Sequence, residues 1–71
     1  MKKITNRNFH QLKIGSLLLL KEYNNNKRFA IITGMGDGER YINIVFQNIK
    51  YGNYYSKDDL TYSGEYKWYM L

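Results

Sequence analysis

Residues 28–47, RFAIITGMGDGERYINIVFQ, decide the fold. In the second half, Ile42, Ile44 and Phe46 fall on one face and Tyr41, Asn43, Val45 and Gln47 on the other. That alternation is the pattern of a half-buried antiparallel strand. The first half, Arg28–Met35, is rich in β-branched and aromatic residues and predicts the strand before it. Gly36-Asp37-Gly38 lies between the two. Asp-Gly accepts the positive backbone angles of a tight turn, so the pair predicts a hairpin.

Upstream, Leu17–Tyr23 is a short apolar run bounded by Gly15-Ser16 and by Asn24-Asn25-Asn26, both turn signals, and predicts another strand. Downstream, Tyr51–Ser56 predicts a short fourth strand around Asn53-Tyr54-Tyr55. Ser56-Lys57-Asp58-Asp59 fits a capping box with Asp in the usual Glu position, so one helical turn should follow and insert Leu60 into the core. Ser63-Gly64 turns once more, and Glu65–Met70 predicts a last strand with Tyr66, Trp68 and Met70 on one face. Near the start, Thr5 or Asn6 caps a helical turn that places Phe9 and Leu12 on one side, or else the segment is an arm. The expectation is an all-β, five-stranded barrel over residues 14–71 with an N-terminal extension over 1–13. Its core should hold Leu18, Leu20, Ile31, Ile32, Ile42, Ile44, Phe46, Leu60 and Trp68.

The same order of residues resembles small SH3-like (Tudor-like) barrel proteins of bacteria and phages. The resemblance runs through Ile14-Gly15-Ser16 and the strand Leu17–Leu20, then Ala30–Met35, Tyr41–Phe46 and Tyr55-Ser56-Lys57-Asp58-Asp59-Leu60. It implies an SH3-like barrel over about residues 14–62 and does not fix a function, because that fold hosts many unrelated binding roles. The run of four leucines departs from the polar residue usual after the first glycine, so one face of Leu17–Leu20 is free to meet the N-terminal segment or a partner. Asn, Lys, Tyr and Ile supply 31 of the 71 residues, which points to an A+T-rich bacterial or phage genome.

Composition narrows the function. The chain has no cysteine and one histidine, His10. Disulfides, a Cys-based zinc site and a thiol nucleophile are excluded. Neither a paired-carboxylate nor a Ser/His/Asp arrangement can be assembled, so no enzyme, metal or cofactor is expected. Gly34-x-Gly36-x-Gly38 is not followed by Lys-Ser/Thr and is flanked by Asp37 and Glu39, so it is a turn and not a phosphate loop. No apolar run approaches the ~20 residues that span a bilayer, and no secretory leader is evident, so a cytoplasmic location is expected, in the host if the gene is a phage's.

The net charge is +5, and residues 1–28 hold seven basic residues against Glu22 alone. Such asymmetry suggests a polyanionic partner. With it goes a surplus of tyrosines in the last 21 residues, more than a small barrel can bury. Exposed tyrosines beside lysines offer stacking platforms for single-stranded nucleic acid. The candidate contacts are Lys2, Lys3, Arg7, Lys13, Lys27, Arg28, Tyr54 and Tyr55. The alternative is a protein-interaction adaptor or a homo-oligomer, because exposed tyrosines also mark protein interfaces.

Overall fold

The computed structural model describes residues 1–36, 41–62 and 64–71. The expected hairpin at Asp37-Gly38 and the turn at Ser63 lie outside the described residues. Among the described residues the protein is all-β with one short helix. Six strands form one antiparallel sheet: β1 (Lys2–Lys3), β2 (Leu17–Lys21), β3 (Lys27–Gly36), β4 (Tyr41–Phe46), β5 (Asn53–Tyr55) and β6 (Lys67–Met70). The helix α1 (Lys57–Thr61) precedes β6. The strand order is β1-β6-β2-β3-β4-β5, so the sheet is open, with β1 and β5 as its edges. Six strands replace the expected five because Lys2 and Lys3 pair with Met70 and Tyr69.

Curvature creates the core. In a flat sheet β6 and β4 would stand three strand spacings apart, roughly 14 Å. The rings of Trp68 and Phe46 nevertheless lie 5.8 Å apart, and Tyr55 on the far edge comes within 5.2 Å of Trp68. The sheet curls until its two ends share one aromatic cluster. A bulge at Thr33, where the pairing shifts between Ile32 and Gly34, adds local twist.

The concave side buries Leu18, Leu20, Ile32, Ile42, Ile44, Phe46, Leu60 and Trp68, all of them expected in the core. Ile31 departs from the expectation: its backbone position puts it on the convex face, 36% exposed, while its neighbours Ala30 and Ile32 point inward. An unbroken apolar run hides its own phase, since only every second residue can face the core. The last strand begins at Lys67 and not at the expected Glu65, so Tyr66 lies before β6; it is exposed and lines the same cleft as Trp68.

The N-terminal segment completes the core with Ile4, Phe9 and Leu12. Thr5 and Asn8 cap this turn reciprocally: the Thr5 amide donates to Asn8 Oδ1 (2.8 Å), and the Asn8 amide donates to Thr5 Oγ1. A 3-10 turn at Phe9–Gln11 follows. Asn25 adopts positive φ in the turn after β2, as its residue type favours. Gly15 does the same (φ 96°) where the chain enters β2.

Ser56 caps α1 as its sequence predicts. Its Oγ accepts from the Asp59 amide, while the Ser56 amide donates to Asp59 Oδ2 (2.8 Å). Ser56→Ala should lower stability by about 1 kcal/mol, the ordinary value of an N-cap, read as a shift in denaturant midpoint. An unchanged midpoint would show that Leu60 is held without the cap.

Candidate interaction surface

Strand alternation divides the expected contact residues between two sides. Arg28 and Tyr55 belong to the concave side, and Lys2 pairs with the inward-leaning Met70. Lys3, Lys27 and Tyr54 belong to the convex side, and Arg7 and Lys13 sit in exposed N-terminal turns. The eight residues therefore do not form one continuous basic surface.

On the concave side Arg28 lies 4.0 Å above the Phe46 ring. It stands in a cleft of about 640 Å³ whose walls include Tyr55, Tyr62, Tyr66 and Trp68. Glu22, Asp58 and Asp59 also line this cleft, so its carboxylates outnumber its one guanidinium and repel phosphate. The cleft's tyrosines thus lack the surroundings that nucleic-acid stacking requires.

Burial beside Phe46 and Trp68 raises the Tyr55 phenol above the ordinary tyrosine value, with Arg28 pulling the other way. A raised folded-state pKa favours the neutral phenol in the fold. Its contribution is complete below the unfolded value near 10 and lost as pH rises through the folded value. Tyr55→Phe should therefore reduce the fall in stability above pH ~10, followed by thermal melts across that range. An identical alkaline branch in both proteins would separate Tyr55 from this loss.

The convex side carries a more continuous arrangement. The pairing places Lys21 opposite both Lys27 and Lys67, making a row of three lysines across β6, β2 and β3. Two residues along each strand, Leu19 stands between Phe29 and Tyr69, with Lys3 next to Tyr69 on the edge strand. Two residues further, Leu17 lies opposite Ile31, Ile31 lies opposite Val45, and the Leu71 amide donates to the Leu17 carbonyl. Side chains at this spacing share one face of a sheet. Leu19 is buried yet lies outside the main core, shielded on its own face by these neighbours. Leu17 (55%), Phe29 (48%), Ile31 (36%) and Leu71 (57%) remain exposed. An open groove of about 480 Å³ runs between them.

Beyond the apolar rows, Asn43 Nδ2 donates to Thr33 Oγ1 (2.9 Å). The Tyr41 and Tyr54 rings meet edge to face at 6.2 Å. The convex side therefore grades from lysines, through apolar side chains, to neutral polar groups. Lys21, Lys67, Phe29, Tyr69 and Leu71 were not among the expected contacts. The signal for them is a shared spacing: Lys27-x-Phe29-x-Ile31, Lys67-x-Tyr69-x-Leu71 and, in reverse, Leu17-x-Leu19-x-Lys21. Among the described residues no helix is long and apolar enough to cross a membrane. The chain matches no known protein family, no curated protein and no solved structure.

Proposed function

We propose that the protein is a non-enzymatic interaction module whose working surface is the convex face of its sheet, and that the ligand on that face is a protein. One observation carries this reading: Leu17, Phe29, Ile31 and Leu71 are exposed side by side. With a whole Leu, Ile or Phe counted as about 200 Å², they leave roughly 400 Å² of contiguous apolar surface in water. That is close to the largest patch a monomer of ordinary size carries, and this chain has only 71 residues. Aromatic and aliphatic residues at the centre with charge at the margin are the anatomy of a protein interface.

An SH3-like barrel is part of the proposal. It is supported by the succession of Gly15, β2, β3, β4 and the capped turn at Ser56, and by the curl that brings Tyr55 against Trp68. The test of function is a photo-crosslinking side chain placed at position 29, on the face, and at position 7, away from it. Protein adducts specific to position 29 are expected in the cells that express the chain. Adducts equal at both positions, or only with nucleic acid, would overturn the reading.

Sequence-tolerant nucleic-acid binding is the second reading, and the row Lys67, Lys21 and Lys27 beside Tyr69 and Phe29 favours it. It requires a mobility shift of oligo(dT) at low salt that weakens steeply as salt rises. Tyr69→Ala should then weaken single-strand binding by about 1–3 kcal/mol. Absence of any shift would remove this reading.

A further inference from the structure

We infer that the element docking on the convex face is a single amphipathic helix with carboxylates along one flank, an inference that rests on the protein-docking reading above. Charge is the first ground. Lys21 stands directly opposite Lys27 and Lys67, and no described Asp or Glu side chain occupies any of the three rows. Like charges placed opposite one another across strands oppose pairing. A partner presenting carboxylates to this row relieves the repulsion, and salt screening reports its effect.

Shape is the second ground. The apolar rows are two deep, and rows on one face recur about every 7 Å along a strand. From Leu71 across Leu17 and Ile31 to Val45 the rows span four strands, roughly 15–19 Å with side chains included. A strip of that size accepts one helix, about 10–12 Å wide, over roughly 13 residues.

A second copy of the chain fits less well. It would bring the same apolar strip and the same lysines, with no described Asp or Glu side chain in the strip to meet them. Facing strips would bury on the order of 800 Å² in total, below the roughly 1,200–2,000 Å² of a stable interface.

The test uses the full chain and two synthetic 14-residue helix-forming peptides with the same Leu/Phe stripe. One carries glutamates along its flank and the other lysines. Titrations at low and high salt should show the glutamate peptide binding at least tenfold more tightly at low salt, with the gap narrowing at high salt. The triple variant Lys21→Glu, Lys27→Glu, Lys67→Glu, shown to be folded by circular dichroism and melting, should reverse the preference. Phe29→Ser should weaken both peptides.

Equal binding of both peptides that Phe29→Ser still weakens would overturn the acidic-helix inference and leave the docking face standing. Failure of both peptides would overturn the inference; if the position-29 crosslinks also yielded no protein, the docking reading would fall with it. Tight binding of oligo(dT) or phosphatidylserine vesicles, lost in the triple variant and without a peptide preference, would overturn both in favour of that polyanion.

Discussion

Replacing Phe46 by alanine is expected to remove a large share of the fold's stability. Phe46 is 3% exposed and belongs to the best-patterned strand. Its ring meets Trp68 at 5.8 Å, Tyr55 at 6.4 Å and the Arg28 guanidinium at 4.0 Å. Removing it takes away the group on which the two ends of the curled sheet converge. A Phe→Ala change in a core costs about 3–5 kcal/mol. A chain of this length has a total stability of roughly 4–10 kcal/mol. Near-ultraviolet circular dichroism and Trp68 fluorescence should both show the fixed aromatic environment lost at a much lower denaturant midpoint than in the parent. A cooperative melt close to that of the parent would show that the curl is held by other contacts.

The second large effect is expected at Phe9. A detachable arm would make Phe9→Ala as harmless as Arg7→Ala. The structure instead buries Phe9 with Ile4 and Leu12, and the Lys57 ammonium lies 5.3 Å from its ring centre. The Ile4 amide donates to the Trp68 carbonyl (2.9 Å), which ties the segment to β6. Phe9→Ala should therefore cost about 3–5 kcal/mol, whereas Arg7→Ala, at an exposed turn, should fall within about 0.5 kcal/mol of the parent. Denaturant titration of both variants compares them directly. Similar midpoints for the two would return residues 1–13 to the status of an arm.

The contrast between these residues shows what the sequence could carry. Ile42, Ile44 and Phe46 announce their side because polar or outward residues separate them. Ser56 and Asp59 announce a helix start because capping depends on residues three apart. Leu17–Leu20 and Ala30-Ile31-Ile32 give no such punctuation, and the inward phase of each is settled only by its neighbours in the sheet. Ile31 was misplaced for that reason. The spacing of Phe9 and Leu12 allows a turn with both on one side or an arm, and nothing local states that the segment closes over the concave side of the sheet. The lysine row is the extreme case: Lys21, Lys27 and Lys67 come from three strands and acquire meaning only through register. Charge counting along the chain instead favoured the N-terminal 28 residues, which the fold distributes over both sides of the sheet.

The short edge strands have a consequence for self-association in the native state. β2, β3 and β4 hold the longest stretches of β-forming residues, and each has a strand on both sides. The sheet ends in β1, two consecutive lysines, and in β5, only three residues long. Brief or charged margins offer poor templates for further strand addition, so the folded molecule resists growth into fibrils. That protection is tertiary. Once the sheet opens, RFAIIT and YINIVF become unpaired segments with no proline to interrupt a cross-β stack. Thermal unfolding should consequently be poorly reversible at high protein concentration, with the resulting deposits taking up amyloid-sensitive dyes.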